Sequence, residues 1–141
     1  MTSDADLNDA LKYHIDVDHN GTRRYRNSAD LLHRDEGPAI VYKDGSEKWY
    51  QNGELHCTTG PAVIWAYGDL EWWQNGKQHR EDGPAVEWHN GSKFWFQNGS
   101  CHRVNGPAVV WANGHVEWRL YGQEYTEQGY HEKLAELGIA K

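Results

Sequence analysis

Four histidines recur at a fixed interval and are the first residues to consider for chemistry. They lie 23 residues apart, so one imidazole per repeat would form a strip suited to binding metal or carrying protons. Zinc needs four ligands at tetrahedral distance, whereas residues one hairpin apart in a sheet are separated by about 10 Å. No second column of His or Cys supplies the missing ligands. We therefore expect each of them to hydrogen-bond a neighbouring turn: His33, His56, His79 and His102.

A second candidate for metal binding is the segment Asp16-x-Asp18-x-Asn20-Gly21, which is typical of the opening of a calcium loop. The twelfth position of such a loop should carry a bidentate Glu and is Asn27 here. A hairpin turn at Asn20-Gly21 accounts for the same residues more simply. We accordingly expect no metal site and no cofactor.

The motifs of common catalytic sites are missing from the sequence. It has no nucleophile elbow, no phosphate-binding glycine loop and no His-Glu-x-x-His. The acidic pairs Asp35-Glu36 and Glu81-Asp82 each follow an arginine, which indicates solvated charge at turns. The sequence therefore predicts a non-catalytic protein, and no catalytic residue is assigned.

Composition limits the classes of partner. The 141 residues suffice for one domain, and a net charge of −7 argues against nucleic acid or an anionic membrane as partner. The two cysteines, Cys57 and Cys101, fall at different positions of the repeat and do not make a disulfide framework. No apolar stretch is long enough to span a bilayer. We therefore expect a protein of the reducing cytoplasm.

The repeat itself organises the chain. Each unit has Gly-Pro-Ala four residues after its histidine and a tryptophan further along, at Trp49, Trp72, Trp95 and Trp118. With 15 Gly, 8 Trp and 8 Tyr, the composition favours short strands joined by tight turns. The predicted architecture is an all-β antiparallel meander of tandem hairpins. Its segments are an N-terminal cap at 1–13, a degenerate unit at 14–32, units at 33–55, 56–78, 79–101 and 102–125, and a C-terminal helix at 126–141.

The first turn of each unit determines which side chains share a face. Asp44-Gly45 is a strong signal for a two-residue type I′ turn. That turn predicts pairing of Tyr42 with Glu47 and of Ile40 with Trp49. The face holding these four residues hardly varies among units, so we expect it to be hidden by stacking. Asn52-Gly53 and its equivalents mark a second turn.

The opposite face varies from unit to unit and is the predicted binding surface. Its aromatic residues alternate with charged ones, as in protein-binding hot spots. Packing beneath a terminal helix would explain the same rings. The candidate partner-binding residues are Tyr50, Trp73, Phe96, Lys48 and Glu71.

Both ends of the chain carry helix signals. Residues 3–12 predict a short helix capped by Ser3 or Asp4, with Leu7 and Leu11 facing inward. Thr126 is the predicted cap of a second helix running to about Leu137 and ending at Gly138. The inward residues of this second helix are expected to be Tyr130, Leu134 and Leu137.

The recurring pattern resembles the MORN repeat, especially its shorter bacterial and viral variants. The resemblance rests on Asn-Gly-x-x-His, a following Gly, an aromatic residue before [Asp/Asn]-Gly-Ser, and a second Asn-Gly, over about residues 14–125. It implies an elongated, twisted single-sheet meander. One departure is that Gly-Pro-Ala stands where MORN units usually have Gly-x-Gly.

The resemblance also implies a role. MORN proteins are generally non-enzymatic scaffolds or protein-binding modules, and some contact phospholipid, which fits poorly with the negative charge here. Their bacterial and phage variants imply a small inhibitor, antitoxin or immunity-type protein that blocks a partner protein sterically. The alternatives are a glycan or small-ligand binder that uses aromatic stacking, and an architectural spacer. Pairing between copies through sheet edges is also left open.

Overall fold

The computed structural model describes residues 4–139, which form a repeated antiparallel sheet flanked by two helices. The helices are α1, Asp4–Lys12, and α2, Glu127–Glu136. The strands at the two ends are β1 (His14–Val17), β2 (Arg23–Arg26), β16 (Val116–Leu120) and β17 (Gln123–Tyr125). The strands between them, two residues each, are β3 (Ile40–Val41), β4 (Glu47–Lys48), β5 (Tyr50–Gln51), β6 (Glu54–Leu55), β7 (Val63–Ile64), β8 (Leu70–Glu71), β9 (Trp73–Gln74), β10 (Lys77–Gln78), β11 (Val86–Glu87), β12 (Lys93–Phe94), β13 (Phe96–Gln97), β14 (Ser100–Cys101) and β15 (Val109–Val110).

The main sheet follows the chain from end to end. Its eleven strands run in the order β1-β2-β3-β4-β7-β8-β11-β12-β15-β16-β17, every pair antiparallel. The strands left out pair with each other as two-stranded hairpins, β5 with β6, β9 with β10 and β13 with β14. This meander confirms the predicted all-β architecture of tandem hairpins with a C-terminal helix.

The first turn of each unit differs from the prediction, and the register shifts with it. Tyr42 accepts a hydrogen bond from Gly45 N and donates its own N–H to Ser46 O, so the loop has three residues. Only Gly45 has a positive φ, of 94°, which is a type I turn followed by a glycine bulge. Asp44 favours this form because its Oδ1 accepts the Ser46 amide at 2.8 Å.

The extra loop residue moves every side chain of one strand relative to the other. Ile40 lies opposite Lys48, and Val41 lies opposite Glu47. The predicted pairing of Ile40 with Trp49 and of Tyr42 with Glu47 is therefore wrong. Because directly opposed residues share a face, Lys48 lies on the side of Ile40, whereas Trp49 lies on the other.

The second turn is the two-residue type. Asn52 and Gly53 have φ of 48° and 84°, both in the left-handed region that a type I′ turn requires. Asn75 and Asn98 repeat this conformation, and Tyr121 takes it in the last unit.

The histidine column holds these second turns in place, as predicted. Nδ1 of each histidine accepts the backbone N–H of the residue 19 positions later, at 2.8 to 3.0 Å. This bond requires the proton to be on Nε2, which points at the Asp35 carboxylate in His33 and at the Glu81 carboxylate in His79. The four donors are Asn52, Asn75, Asn98 and Tyr121.

Small and branched residues at the start of each unit's first strand are buried. Ala39 is fully buried and the adjacent Ile40 nearly so, on opposite faces of a short strand. The alanine carbonyl also accepts a hydrogen bond from the preceding unit, as in Trp49 N to Ala62 O at 2.7 Å. The same burial recurs in the equivalents Ala62, Val63, Ala85, Val86, Ala108 and Val109.

Helix α2 closes the last unit as the sequence predicted. Thr126 caps it through its Oγ1, which accepts the Gly129 amide at 3.1 Å, and Gly138 ends it with a φ of 74°. Tyr130 and Leu134 are buried against Leu120, which makes this the apolar core at this end of the sheet. Leu137 is exposed, so its predicted inward orientation is wrong.

Helix α1 is placed by polar contacts. Asp9 accepts from Arg34 at 2.7 Å, while Leu7 and Leu11 are both exposed, contrary to the prediction that they face inward. The helix begins at Asp4, and Ser3 lies outside the described residues. Neither α1 nor α2, the helices within residues 4–139, is long and apolar enough to cross a membrane.

Candidate interaction surfaces

One face of the main sheet carries a series of partly exposed rings, here called the ring strip. One ring of each unit is the first residue after a strand, in the order β3, β7, β11 and β15. The rings form two contacting groups. Trp65 stacks on Tyr42 and Tyr67 at centroid distances of 6.5 and 6.1 Å. Trp88, Phe94 and Trp111 contact one another at 4.7 to 5.8 Å. The ring strip comprises Tyr42, Trp65, Tyr67, Trp88, Phe94 and Trp111.

Each unit's leading ring contacts the residue six positions later, with a different chemistry each time. The Lys48 Nζ lies 5.7 Å from the Tyr42 ring centroid, a cation–π contact. The Trp65 indole donates to the Glu71 carboxylate at 3.1 Å. The third unit has the Trp88–Phe94 ring contact, and in the fourth Trp111 donates to Glu117 at 3.0 Å. The same backbone position beside the leading ring therefore carries a cation in the first unit, an anion in the second, a ring in the third and an anion in the fourth.

Three of the five predicted binding residues meet around Trp65. Lys48 Nζ lies 5.2 Å from the Trp65 ring centroid, and Glu71 accepts hydrogen bonds from both Trp65 and Trp73, the latter at 2.9 Å. All four side chains are partly exposed. Lys48, Glu71 and Trp73 therefore belong to one local surface, at the end of the ring strip nearer α1.

Tyr50 and Phe96 lie on the short second hairpins. They pair with Leu55 and Cys101, and both rings are partly exposed. Their carbonyls accept the backbone amides of Arg34 and Arg80 at 3.4 Å, so they connect each hairpin to the loop at the start of the same unit. The structure does not bring them into the ring contacts around Trp65.

The tryptophan column lies on the other face, where arginines cover two of its four rings. Arg80 Cζ lies 3.8 Å from the Trp72 ring centroid, and Arg103 Cζ lies 3.8 Å from that of Trp95. Arg34 covers Tyr25, which occupies the equivalent position of the degenerate unit, at 4.0 Å. Each arginine also donates through NH1 to a proline carbonyl four residues later, at 3.0 to 3.3 Å.

Trp49 differs from the rest of the column because no ring or guanidinium contact is found for it among the described residues. The residue that would cover it is Cys57, whose side chain is too short to stack and lies 3.5 Å from the Thr59 hydroxyl. The indole N–H of Trp49 is buried and has no hydrogen-bond partner among the described residues. Trp118, in the last unit, is covered by the Tyr130 ring of α2 at 4.9 Å.

A groove of about 500 Å³ runs beside the open face of Trp49. It is lined by Asp35 and Glu36 and by the loop from His56 to Thr59. Hydrogen bonds from Lys12, Tyr13 and His33 hold the pKa of the Asp35 carboxyl below its usual value. The adjacent Glu36 is exposed and makes no ion pair within the described part of the chain.

The acidic segment after α1 forms a turn. One carboxylate oxygen of Asp18 accepts the amides of Asn20 and Thr22, and the other pairs with Arg24 at 2.8 Å. Asp16 pairs with Arg26. Within residues 4–139 no group of three or more His, Cys, Asp or Glu side chains is arranged to hold a metal ion.

The ring strip was missed at the sequence level because the turn was assigned one residue too short. That error placed Tyr42 and its equivalents on a hidden face beside Trp49. The signal for the longer turn is the Asp or Asn of Asp44-Gly45 and Asn90-Gly91, because its side-chain oxygen can accept the backbone amide two residues later in an Asx turn. No protein-family model matches this chain, and no curated protein sequence is significantly similar to it.

Proposed function

We propose that this chain is a non-catalytic, protein-binding repeat module of the MORN-like type, which blocks a partner protein sterically. The observation that carries the proposal is the ring strip. Aromatic side chains supply large contact areas at low entropic cost and are enriched at the centres of protein interfaces. Here they form contacting groups on a sheet face, with Lys48, Glu71 and Glu117 beside them as polar neighbours.

The exposure of the rings supports docking over internal packing. Trp88 is 39% exposed and Tyr67 is 60% exposed, although each contacts other rings. An apolar side chain left in water contributes no burial energy to this chain, whereas a partner that covers it gains about 25 cal/mol per Å² of apolar surface. The helix α2 packs on Trp118, outside the ring strip, so it does not account for these rings.

The proposal includes the finer role as well. A chain with a net charge of −7 and a strip of rings is suited to a partner with a complementary, basic-rimmed apolar surface. An inhibitor, antitoxin or immunity-type protein of bacterial or phage origin, acting in the cytoplasm, would use such a surface to cover the working site of its target. This finer role rests on the MORN-like pattern of the sequence.

The test is affinity capture with matched variants. The tagged full-length chain is incubated with a candidate host lysate, and the bound proteins are quantified by mass spectrometry. Trp88→Ala and Tyr67→Ala remove the two most exposed rings of the strip, and Trp73→Ala and Phe96→Ala test the residues assigned from sequence. Tyr121→Asn is the control, because Tyr121 is an exposed ring outside the strip and Asn is the residue of the equivalent turns.

The proposal predicts a stoichiometric protein partner that is lost in Trp88→Ala and Tyr67→Ala and retained in Tyr121→Asn. Circular dichroism and thermal unfolding must show that all variants remain folded. Capture that is insensitive to both ring-strip substitutions would contradict the proposal. Quenching of tryptophan fluorescence by simple sugars, with no protein captured, would instead identify a glycan binder.

A further inference from the structure

The arginines that cover the tryptophan column provide an internal template for a ligand. In three units the guanidinium lies between an aromatic ring and a glycine. A Cβ added to Gly37, Gly83 or Gly106 would meet the Cζ of Arg34, Arg80 or Arg103 at 2.8 to 3.0 Å. The ring lies on the other side at 3.8 to 4.0 Å, and the following proline carbonyl accepts from NH1.

The unit that begins at His56 has the same backbone and lacks the guanidinium. Cys57 N donates to Trp73 O at 3.1 Å, the bond that the arginines make at 3.3 to 3.4 Å in the other units. A Cβ added to Gly60 would meet nothing within 4 Å. By the repeat, Trp49, Gly60 and the Pro61 carbonyl occupy the places that hold a guanidinium in the other units, and their own loop supplies no cation; this position is here called the slot.

We propose that this slot binds the side chain of an arginine residue presented by a partner protein. The occupant would stack on Trp49, lie against Gly60 and donate to the Pro61 carbonyl, as Arg80 does with Trp72, Gly83 and Pro84. An arginine fits better than a lysine, because the flat fork of donors can stack and hydrogen-bond at once.

The charge around the slot supports a cation. Asp35 and Glu36 line the groove beside Trp49, and Glu36 is free of ion pairs within the described residues. The groove at Trp72 and Arg80 has the neutral Thr58 and Thr59 in the equivalent places. The groove at Arg103 has Glu81 and Asp82 in the equivalent places, and there the cation comes from the chain itself. At Trp49 the loop carries both carboxylates, but Asp35 already pairs with Lys12 Nζ at 3.1 Å. Glu36 is therefore the carboxylate that an incoming cation would meet.

This inference assigns a chemistry to the partner and so rests on the proposed protein-binding function, but it can be tested without any partner. The probe is N-acetyl-L-arginine amide, titrated into the ¹⁵N-labelled full-length chain while the indole N–H signals are recorded by NMR. The Trp49 signal is assigned from its loss in Trp49→Phe. The uncharged isostere N-acetyl-L-citrulline amide is the matched ligand control.

The slot predicts a saturable shift of the Trp49 signal with a dissociation constant of about 1 to 10 mM, as expected for one side chain. Citrulline amide should bind about tenfold more weakly. Cys57→Arg should abolish the response by filling the slot in cis, and Cys57→Ser should keep it. Arg103→Cys should create a second responding signal at Trp95, because it exposes the same ring, glycine and acidic loop.

Three results would overturn the inference. The first is no saturable shift at Trp49, and the second is an equal response to arginine and citrulline amides. The third is tighter binding of free L-arginine than of the capped compound, which would reassign the slot to a small ligand. If the arginine amide does not bind at Trp49 while the ring-strip variants still lose a captured protein, the arginine-binding inference is wrong and the proposed protein-binding function is retained. A folded spectrum of each variant excludes unfolding as the cause of a lost response.

Discussion

Nδ1 of His102 accepts the backbone N–H of Tyr121 at 2.8 Å. The ring of the same Tyr121 packs on the imidazole, with the two ring centroids 4.2 Å apart. Tyr121 has a φ of 50°, so this bond holds a non-glycine residue in the left-handed conformation that the turn requires. The histidine can accept the bond only while Nδ1 is unprotonated. Its protonation state and the turn geometry are thus linked.

The first prediction is a loss of stability at low pH. Burial lowers the pKa of His102 below its usual value of 6.5. The unfolded chain therefore binds this proton at a higher pH than the folded chain does, so the free energy of unfolding falls as pH drops below about 6.5. Urea unfolding at about pH 7.5 and about pH 5.5 measures the change. His102→Asn keeps an acceptor without titrating and should show a smaller decrease; an identical decrease would contradict the assignment.

The second prediction concerns the link between successive first turns. Ser46 is 1% exposed, and its Oγ accepts the Ala66 amide of the next unit at 2.8 Å. Ser92 makes the same bond to Ala112. Ser46→Ala should lower the free energy of unfolding by about 1 kcal/mol, the net value of one such bond. Ser100→Ala, at an exposed position, should change it by less than about 0.5 kcal/mol. Equal effects of the two substitutions in chemical denaturation would show that the link does not contribute.

The sequence was sufficient to predict the period, the hairpins, the role of the histidines and the Thr126 cap. These depend on local spacing and on residue types with one dominant use. It was not sufficient for the first turn, because Asp-Gly suits both a two-residue type I′ turn and a type I turn with a glycine bulge. The choice depends on whether Asp44 itself takes a positive φ, and here its carboxylate bonds the Ser46 amide instead.

That single ambiguity affected the candidate site more than the fold. A shift of one residue leaves the meander unchanged but exchanges the faces, so the ring strip was assigned to the hidden side. The exposure of Leu7, Leu11 and Leu137 was missed for a different reason. An apolar residue on a short helix is buried only when a neighbouring element covers it, and both helices lie at the ends of the sheet.

The third prediction is that Cys101 is chemically inert. Burial raises the pKa of its thiol to about 11, so at neutral pH very little reactive thiolate is present. In Cys57→Ser, where Cys101 is the remaining cysteine, alkylation by iodoacetamide should be about two orders of magnitude slower than that of a free thiol. Mass spectrometry measures the rate, and unfolding in urea should restore it. A rate in the folded state close to that in urea would contradict the prediction.

The fourth prediction concerns the attachment of α2. The Tyr130 hydroxyl donates to Arg103 O at 2.6 Å and accepts from Gly106 N at 3.3 Å, while the ring is fully buried. Tyr130→Phe keeps the ring and removes both bonds, so it should lower the free energy of unfolding by about 1 to 3 kcal/mol. Tyr121→Phe, at an exposed ring, is the control and should have little effect. A neutral Tyr130→Phe would mean that α2 is held by apolar packing alone.

The fifth prediction is that Cys57→Arg stabilises the chain. The introduced guanidinium would take the place that Arg34, Arg80 and Arg103 occupy, over Trp49 and against Gly60, where a Cβ would meet nothing within 4 Å. A cation–π contact of this kind contributes about 0.5 to 2 kcal/mol. Cys57→Lys supplies the charge without the planar fork and should stabilise less.

Thermal and urea unfolding measure the stability of both variants. Arg80→Ala, which removes the arginine at an equivalent site, is measured beside them. Cys57→Arg should raise the unfolding midpoint and Arg80→Ala should lower it, because each changes whether one ring of the column is covered. If Arg80→Ala destabilises the chain while Cys57→Arg does not stabilise it, the backbone around Gly60 is not equivalent to that around Gly83. The slot over Trp49 would then lack the geometry needed to hold an arginine from any source.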